Sequence, residues 1–158
     1  MKENKNNNDP VITTHKEARR DYFVLDAMEA GIVLGGCEVK SLREGKASLA
    51  GSFARLEGDE VFLHNLYIAP YLMGNRENLE PTRERKLLLH RSQINKLRMK
   101  TQERGLTLIP LKMYFKHGLA KVELAVARGK NLYDKRADIK KRSSQREIDR
   151  AVKLRNRK

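Results

Sequence analysis

The side chains that most often carry out enzymatic chemistry are scattered through this sequence. None of the four histidines has the spacing of a metal-ligand pair or of a recognised catalytic motif. They are His15, His64, His90 and His117. The single cysteine, Cys37, cannot form an internal disulfide or build a zinc site. Walker, GxGxxG, HExxH and GxSxG motifs do not occur. We therefore expect no enzymatic activity, no cofactor and no metal.

Positive charge is the feature that indicates a chemistry. The 158 residues include 34 Lys and Arg against 20 Asp and Glu, a net charge of +14. The segment from Arg128 to Lys158 holds 13 basic and 4 acidic residues, so 13 − 4 gives +9 of that total. Such a surplus attracts polyanions, and nucleic acid is the commonest polyanion that a soluble protein meets. The sequence therefore predicts a nucleic-acid-binding protein.

A membrane surface is the rival partner for a basic protein. No stretch approaches 18 consecutive apolar residues, so no bilayer-spanning helix is predicted. The N-terminus is polar and lacks the apolar run of a secretory signal peptide. Together with the single cysteine, these features predict a cytoplasmic protein without a membrane partner.

A predicted β-hairpin lies directly before the basic segment. From Leu106 to Arg128 apolar residues fall at every second position on both sides of a short connection containing Gly118. The alternating residues are Thr107, Ile109, Leu111, Met113, Phe115, Val122, Leu124 and Val126. After Gly129 the alternation stops and Lys and Arg dominate, so we expect the folded body to end there.

The remaining predicted elements are short. Strands are expected at 22–25, 31–34, 52–56, 60–68 and 83–89, helices at 14–20 and 92–105, and a loop at 71–82. Residues 38–45 read as a compact mixed segment. This pattern predicts a mainly β protein, a small OB-fold-like β-barrel with one or two short helices and a basic C-terminal tail that is disordered when free.

Three regions follow from these elements. We expect a disordered N-terminus at 1–12, an RNA-binding barrel at 13–130 and the basic tail at 131–158. The tail lacks helix breakers but has few apolar residues and repels itself, so a polyanion partner is expected to make it helical.

Four phrases of the sequence are specific when taken together: Glu29-Ala30-Gly31, Glu38 through Arg43, Pro81 through His90, and Gly129-Lys130 with Asp134-Lys135-Arg136. In these phrases the chain resembles the small protein B family, the SsrA-binding proteins of bacterial trans-translation. The resemblance implies an OB-fold barrel that binds transfer-messenger RNA (tmRNA), delivers it to stalled ribosomes and fills the empty message channel with its tail. It implies no catalysis, a monomer, and elongation factor Tu and alanyl-tRNA synthetase as partners in the same pathway.

The resemblance also implies roles for individual residues. Contacts with the tRNA-like domain of tmRNA are expected at Glu29, Leu88, His90 and Lys121. Leu88 would then have to point outward. Nearby cations are expected to set affinity and register on RNA: Lys40, Arg43, Arg83, Arg85 and Lys86. Ribosome contacts are expected at Gly129, Lys130, Tyr133, Asp134, Lys135 and Arg136.

Two questions stay open at the level of the sequence. Glu29 either accepts a hydrogen bond from a base or forms a structural salt bridge. The family pattern is also broken at His15, Arg20, Cys37 and Leu79-Glu80, which leaves the N-terminal segment and the 71–82 loop without assigned RNA contacts.

Two other functions remain compatible with the composition. A ribosomal protein or assembly factor with a basic tail would copurify with ribosomal RNA alone. An RNA-processing enzyme would cleave or modify labelled RNA, although no catalytic motif supports it.

Overall fold

A closed antiparallel β-barrel carries four helices in the computed structural model, which describes residues 10–73 and 78–156. The strands are β1 (Val11–Thr14), β2 (Tyr22–Ile32), β3 (Ala47–Ser48), β4 (Phe53–Glu57), β5 (Glu60–His64), β6 (Tyr67–Ile68), β7 (Arg85–Leu88), β8 (Leu106–Lys116) and β9 (Leu119–Gly129). The helices are α1 (Ala18–Asp21), α2 (Gly36–Arg43), α3 (Arg91–Thr101) and α4 (Leu132–Arg155). The prediction of a mainly β protein is confirmed, but it undercounted the helices.

Six strands close the barrel. They follow one another in the order β8-β4-β5-β7-β2-β9, and β9 pairs again with β8. Strand β1 is added to the outside of β8, while β3 and β6 form a separate two-stranded sheet. Closure pairs the edge strands of the sheet with each other, which removes the exposed edges that would invite aggregation.

The β8–β9 hairpin forms where the sequence predicted it. Its two-residue turn has positive φ at both positions, 51° at His117 and 75° at Gly118. Positive φ at both central residues is the requirement of a type I′ turn, whose twist matches that of the flanking strands. Lys116 and Leu119 are the pair that closes the turn.

The alternation predicted along β8 is interrupted by a β-bulge. The register with β9 shifts between Pro110 and Lys112, so the residues on the two sides of the bulge face opposite ways. Met113 therefore lies in the main barrel core, whereas Ile109 and Leu111 pack in a second cluster with Ala18 of α1. The prediction that Ile109, Leu111 and Met113 share one face is wrong for this reason.

Helix α3 is fixed against the barrel by apolar contacts and ion pairs. Leu97 is fully buried in the barrel core. Lys100 and Lys96 reach the Asp26 carboxylate of β2 at 2.7 and 3.0 Å, and their hydrogen bonds lower the pKa of Asp26 to about 2. This anchoring matters for function because the helix begins immediately after His90.

Helix α2 occupies the segment that the sequence showed only as compact and mixed. Its buried positions are Glu38, Ser41 and Leu42, which lie on one helix face at i, i+3 and i+4. Two of the three are polar, so hydrophobic periodicity did not reveal the helix. The Ser41 hydroxyl donates to the carbonyl of Ala69 at 2.5 Å, which ties the helix to the long loop after β6.

The two ends of the chain also differ from expectation. Strand β1 begins at Val11, inside the region 1–12 that was expected to be disordered, because it pairs with β8. The expectations for 1–9, for 74–77 of the predicted 71–82 loop and for 157–158 of the tail fall outside the described residues. The described tail is not disordered but forms the 24-residue helix α4, although none of its residues is buried.

Contacts with α1 give the physical reason for the helical tail. The Lys130 ammonium donates to the carbonyl of Arg19 at 2.9 Å and pairs with Asp138, while Lys135 approaches Asp21 at 3.4 Å. These pairs neutralise part of the self-repulsion that argued for disorder. None of the helices in the described part of the chain combines the length and apolar character that crossing a bilayer requires.

Candidate RNA interface

A shallow cavity on the barrel surface brings together residues from distant parts of the chain. Its volume is about 450 Å³. The lining residues are Glu29, Gly31, Leu88, Leu89, His90, Gln93 and Lys121. The four residues expected to contact the tRNA-like domain are all among them, although they come from β2, β7, the start of α3 and β9.

Strand pairing explains how these positions meet. Gly31 of β2 lies opposite Leu88 of β7 on one side and opposite Lys121 of β9 on the other. Glu29 lies two residues before Gly31 and therefore on the same face of β2. A Cβ at Gly31 would lie 3.2 Å from the Cβ of Leu88, so glycine permits this close approach.

Leu88 is turned away from the core, as the resemblance required. Its side chain is 52% exposed, while the preceding Leu87 is 2% exposed and packs in the barrel. Successive side chains of a strand point to opposite faces, so one buried leucine places the next outside. An exposed leucine beside polar groups offers an apolar surface for the ring of an unpaired base.

His90 is exposed at the N-cap position of α3. Its backbone N–H donates to Gln93 Oε1 at 2.9 Å, which satisfies one of the free donors at the start of the helix. The helix thus holds His90 through its backbone, and its ring lines the cavity, where it can stack or form a hydrogen bond.

Glu29 is held by two neighbours from β8. The Tyr114 hydroxyl donates to Glu29 Oε2 at 2.5 Å, and the Lys116 ammonium lies 3.2 Å from the same oxygen. The hydrogen bond from Tyr114 is the main cause of a pKa below the ordinary value for Glu29, and Lys116 and Lys121 act in the same direction. The structure thus shows a salt bridge at this position, and its carboxylate also borders the cavity.

Arg85 is not part of the RNA surface, contrary to the expectation from sequence. Its side chain is completely buried. The guanidinium reaches both the Glu38 carboxylate, at 2.7 Å, and backbone carbonyls such as that of Leu66, at 2.6 Å. Arg83 is half-buried and pairs with the same carboxylate at 2.6 Å. Both arginines fold the loop before β7 onto α2, because a buried carboxylate needs positive partners.

The other predicted cations remain at the surface but do not line the cavity. Lys40 is exposed, with its ammonium 5.5 Å from the ring centroid of Tyr71, and Arg43 is exposed at the end of α2. Lys86 pairs with Glu60 on the outer face of the barrel. Their positive charge can attract RNA at longer range without contacting a base.

The residues expected to contact the ribosome lie at the junction between barrel and tail. Gly129 ends β9, and Tyr133 and Arg136 are exposed on the first turns of α4. Asp134 lies in the first turn, where a carboxylate is favoured by the helix dipole. Lys130 is different, because its side chain is only 6% exposed and its ammonium lies 4.7 Å from the ring centroid of Phe23. In this conformation Lys130 holds the junction and is not a free surface cation.

Sequence reasoning missed Tyr114, Lys116 and Gln93 as neighbours of the site. Tyr114 lies opposite Lys121 in the register that the two-residue turn sets, and its hydroxyl reaches Glu29 of β2, on the other side of β9. The helix start at Arg91, with Gln93 three residues after the N-cap, was the signal that could have located Gln93.

A further group of side chains has the composition of a metal site. Glu57, His64 and Glu84 place one possible ligand atom each within 4.8 Å of one another. Each ring nitrogen of His64 is, however, already close to a different carboxylate, at 3.2 Å for Glu57 and 3.3 Å for Glu84. The arrangement is explained by ion pairing at the surface and supplies no chemistry to the cavity.

Comparison with known proteins gives a consistent result. A family model described as SmpB protein matches residues 12–154. An SsrA-binding protein of Geobacillus thermodenitrificans is 57% identical over 92% of this chain and 94% of its own length. One of Pelotomaculum thermopropionicum is 56% identical over 93% of this chain and 96% of its own length.

A solved structure agrees with these sequence matches. It is described as "tmRNA-SmpB: a journey to the center of the bacterial ribosome" and superimposes with a TM-score of 0.66 at 53% identity, over 78% of this chain and 86% of the other. The match to the family model covers far more than half of the chain. This chain belongs to the SmpB protein family.

Proposed function

We propose that this protein binds the tRNA-like domain of tmRNA and takes it to stalled ribosomes in trans-translation. The observation that carries the proposal is the cavity in which Glu29, Leu88, His90 and Lys121 meet. Four residues expected at one RNA contact come from four separate segments, and chance would not place them around a single concavity. The relatives are named SsrA-binding proteins, and the solved relative is a tmRNA complex on the ribosome.

The chemistry of the cavity suits a nucleotide of an unpaired loop. Lys121 can neutralise a phosphate, Leu88 can pack against a base ring, and His90 can stack or form a hydrogen bond. The carboxylate of Glu29 disfavours simple binding of phosphate, so the cavity is expected to recognise more than negative charge. Proteins that read RNA sequence commonly recognise splayed bases in loops in this way.

The tail is proposed to act on the ribosome rather than on tmRNA. Helix α4 has no buried residue, so it can leave the barrel without exposing a core. The segment from Arg128 to Lys158, which contains this helix, carries +9 of the net charge of +14. An empty message channel is walled by ribosomal RNA phosphates, which would neutralise the tail and release counterions. Gly129, Lys130, Tyr133, Asp134, Lys135 and Arg136 would anchor the start of the helix there.

Further partners and the setting follow from the same proposal. Elongation factor Tu and alanyl-tRNA synthetase would act on the same RNA, the protein would work as a cytoplasmic monomer, and it would perform no catalysis of its own. RNA binding and delivery require none.

A binding experiment tests the core of the proposal. Purified protein is titrated with the isolated tRNA-like domain of tmRNA and with a ribosomal RNA fragment of equal length. We expect the tRNA-like domain to bind at least ten-fold more tightly at physiological salt, because sequence-independent binding is mainly electrostatic. Sequencing the RNA that copurifies with the protein gives an independent readout. Equal affinities, or copurification of ribosomal RNA alone, would contradict the proposal.

A further inference from the structure

A carboxylate at a surface that binds a polyanion needs an explanation. Glu29 borders the cavity beside Lys121 and His90, and it lies opposite Glu123 of β9. RNA phosphates carry negative charge and repel a carboxylate. The groups of RNA that a carboxylate can accept from are the N–H groups of bases and the ribose 2′-hydroxyl.

The hydrogen bonds around Glu29 leave one oxygen for such a group. Tyr114 and Lys116 both contact Oε2. No side chain among residues 10–73 and 78–156 makes a hydrogen bond or ion pair to Oε1. The protein therefore fixes the carboxylate through one oxygen and leaves the other as an acceptor.

Tyr114 is the stronger of the two contacts. An O–H donating to a carboxylate at 2.5 Å is a charge-assisted hydrogen bond, which is short and about twice as strong as a neutral one. The Lys116 pair is longer, at 3.2 Å, and both of its side chains are about one-third exposed, so salt screens it. Tyr114 also comes from a rigid strand of the hairpin, opposite Lys121.

We propose that Tyr114 is a positioning residue that aims Glu29 Oε1 at an amino group on an unpaired base of the bound RNA. This rests on the proposed function, since the RNA is the tRNA-like domain. Leu88 then packs against the ring of the same base, and Lys121 contacts its phosphate. Because a phosphate cannot replace the amine, the Tyr114–Glu29 pair supplies selectivity, whereas the surrounding cations supply affinity.

A double-mutant cycle tests the positioning role. Tyr114→Phe keeps the ring and removes only the hydroxyl, and Glu29→Gln removes the charge. We expect Tyr114→Phe to weaken binding of the tRNA-like domain by about 2- to 10-fold, the range for one hydrogen bond. The double variant should bind no more weakly than Glu29→Gln alone, because Tyr114 acts through Glu29. Tyr67→Phe, an exposed tyrosine of β6, is the matched control and should bind like the parent protein.

Modified RNA identifies the group that Glu29 accepts from. Unpaired nucleotides of the tRNA-like domain are replaced one at a time by analogues that lack the exocyclic amine, such as inosine for guanosine. A matched set carries 2′-deoxyribose instead. We expect one amine-free analogue to weaken binding to the parent protein but not to Glu29→Gln. If only a 2′-deoxy substitution behaves in this way, the acceptor reads ribose and the assignment to a base is overturned.

The pH dependence separates positioning from a general effect on the fold. Glu29 must be ionised to accept, and its pKa lies below the ordinary value chiefly because of Tyr114. The groups that face it are Lys116, Lys121, Glu123 and His90. Without the hydroxyl the pKa should rise, so the acid loss of binding should begin at higher pH in Tyr114→Phe than in the parent protein. Coincident pH profiles would overturn the proposal.

The outcomes distinguish this inference from the proposed function. If the parent protein does not prefer the tRNA-like domain, the proposed function fails. If the parent protein binds it and Tyr114→Phe binds equally well, only the positioning role fails.

Discussion

A buried arginine organises the long connection between β6 and β7. The Arg85 guanidinium donates four hydrogen bonds, one to the Glu38 carboxylate and three to the backbone carbonyls of Leu66, Pro81 and Arg83, and it forms an ion pair with Glu38. Arginine suits this position because its planar guanidinium group can donate hydrogen bonds to several acceptors at once. The strand that carries Leu88 to the cavity begins at this residue.

Removing the carboxylate should therefore destabilise the protein. In Glu38→Gln the guanidinium groups of Arg83 and Arg85 lose their negative partner, and that of Arg85 is completely buried. We therefore expect the free energy of unfolding to fall by about 3 kcal/mol. Urea denaturation at pH 7 measures it. Glu103→Gln, an exposed carboxylate, is the control and should change stability by less than about 0.5 kcal/mol. Equal stability of both variants would show that the buried pair contributes nothing.

The same carboxylate should make stability depend on pH. Burial alone would raise the pKa of Glu38, but hydrogen bonds from Arg83, the Gly35 N–H and Arg85 outweigh it and lower the pKa. A lowered folded-state pKa gives stability that is complete above the unfolded value, about 4.3, and is lost as pH falls through the folded value. The difference in unfolding free energy between parent and Glu38→Gln should be largest above about pH 5 and shrink progressively as the pH falls below that. A constant difference would contradict the assignment.

Two residues of the cavity should affect binding and not folding. Lys121→Ala and His90→Ala should each weaken binding of the tRNA-like domain by about 1–3 kcal/mol. His90 is exposed and holds α3 through its backbone, so thermal unfolding should barely move. Lys46→Ala, an exposed lysine beyond α2, is the matched control and should bind normally. A variant that unfolds would show that its residue is structural.

Among individual residues, the sequence predicted those that line the cavity better than it predicted which Lys and Arg side chains are exposed. Glu29, Leu88 and His90 belong to phrases that resemble the family, and Lys121 was assigned by position from the same resemblance. Strand pairing brings them together. Arg85 could not be placed, because a buried arginine and an exposed one look the same in a charged phrase. Tyr114 was missed because its hydrogen bond joins it to Glu29 of β2, 85 residues earlier in the chain, and no local pattern marks so distant a partner.

The elements of the fold were predictable where local patterns are strong. The β8–β9 hairpin was found from its alternation and Gly118. Helix α2 was not, because its buried face is polar, and β1 was not, because its partner in the sheet lies about a hundred residues away. The residues around β1 contain no pattern that identifies a pairing partner so far away in the sequence.

Helix α4 can be tested by truncation after Lys130. The barrel core lies before this point and no residue of α4 is buried, so we expect a folded protein that binds the tRNA-like domain within about three-fold of the parent affinity. Peptide tagging on a ribosome programmed with a message lacking a stop codon should be lost.

The control and the contrary outcomes of this experiment are clear. Truncation after Arg155 removes only residues beyond the helix and should leave tagging intact. Normal tagging without α4 would refute the channel role of the tail. Loss of RNA binding would instead mean that the tail belongs to the RNA site.

The charge of the whole molecule sets how binding responds to salt. With a net charge of +14, several phosphates should be neutralised in the complex. The slope of log affinity against log salt should then be several units, at about 0.7–0.9 per phosphate contact, between about 50 and 200 mM salt. A filter-binding titration measures it, and a flat titration would contradict the electrostatic part of the account.

Contacts of Lys130 fix the start of α4 to the barrel, so a small rotation there moves the far end of the helix by a large distance. A helix of 24 residues extends about 36 Å, so a rotation of about ten degrees at its base moves its tip by about 6 Å. A small change in the angle between the barrel and α4 therefore produces a large displacement of Arg155, at the far end of the helix. The direction of the tail thus depends on the contacts of Lys130 with the Arg19 carbonyl, the Asp138 carboxylate and the Phe23 ring. A substitution of Lys130, Asp138 or Phe23 would therefore displace the distant end of the helix without touching it.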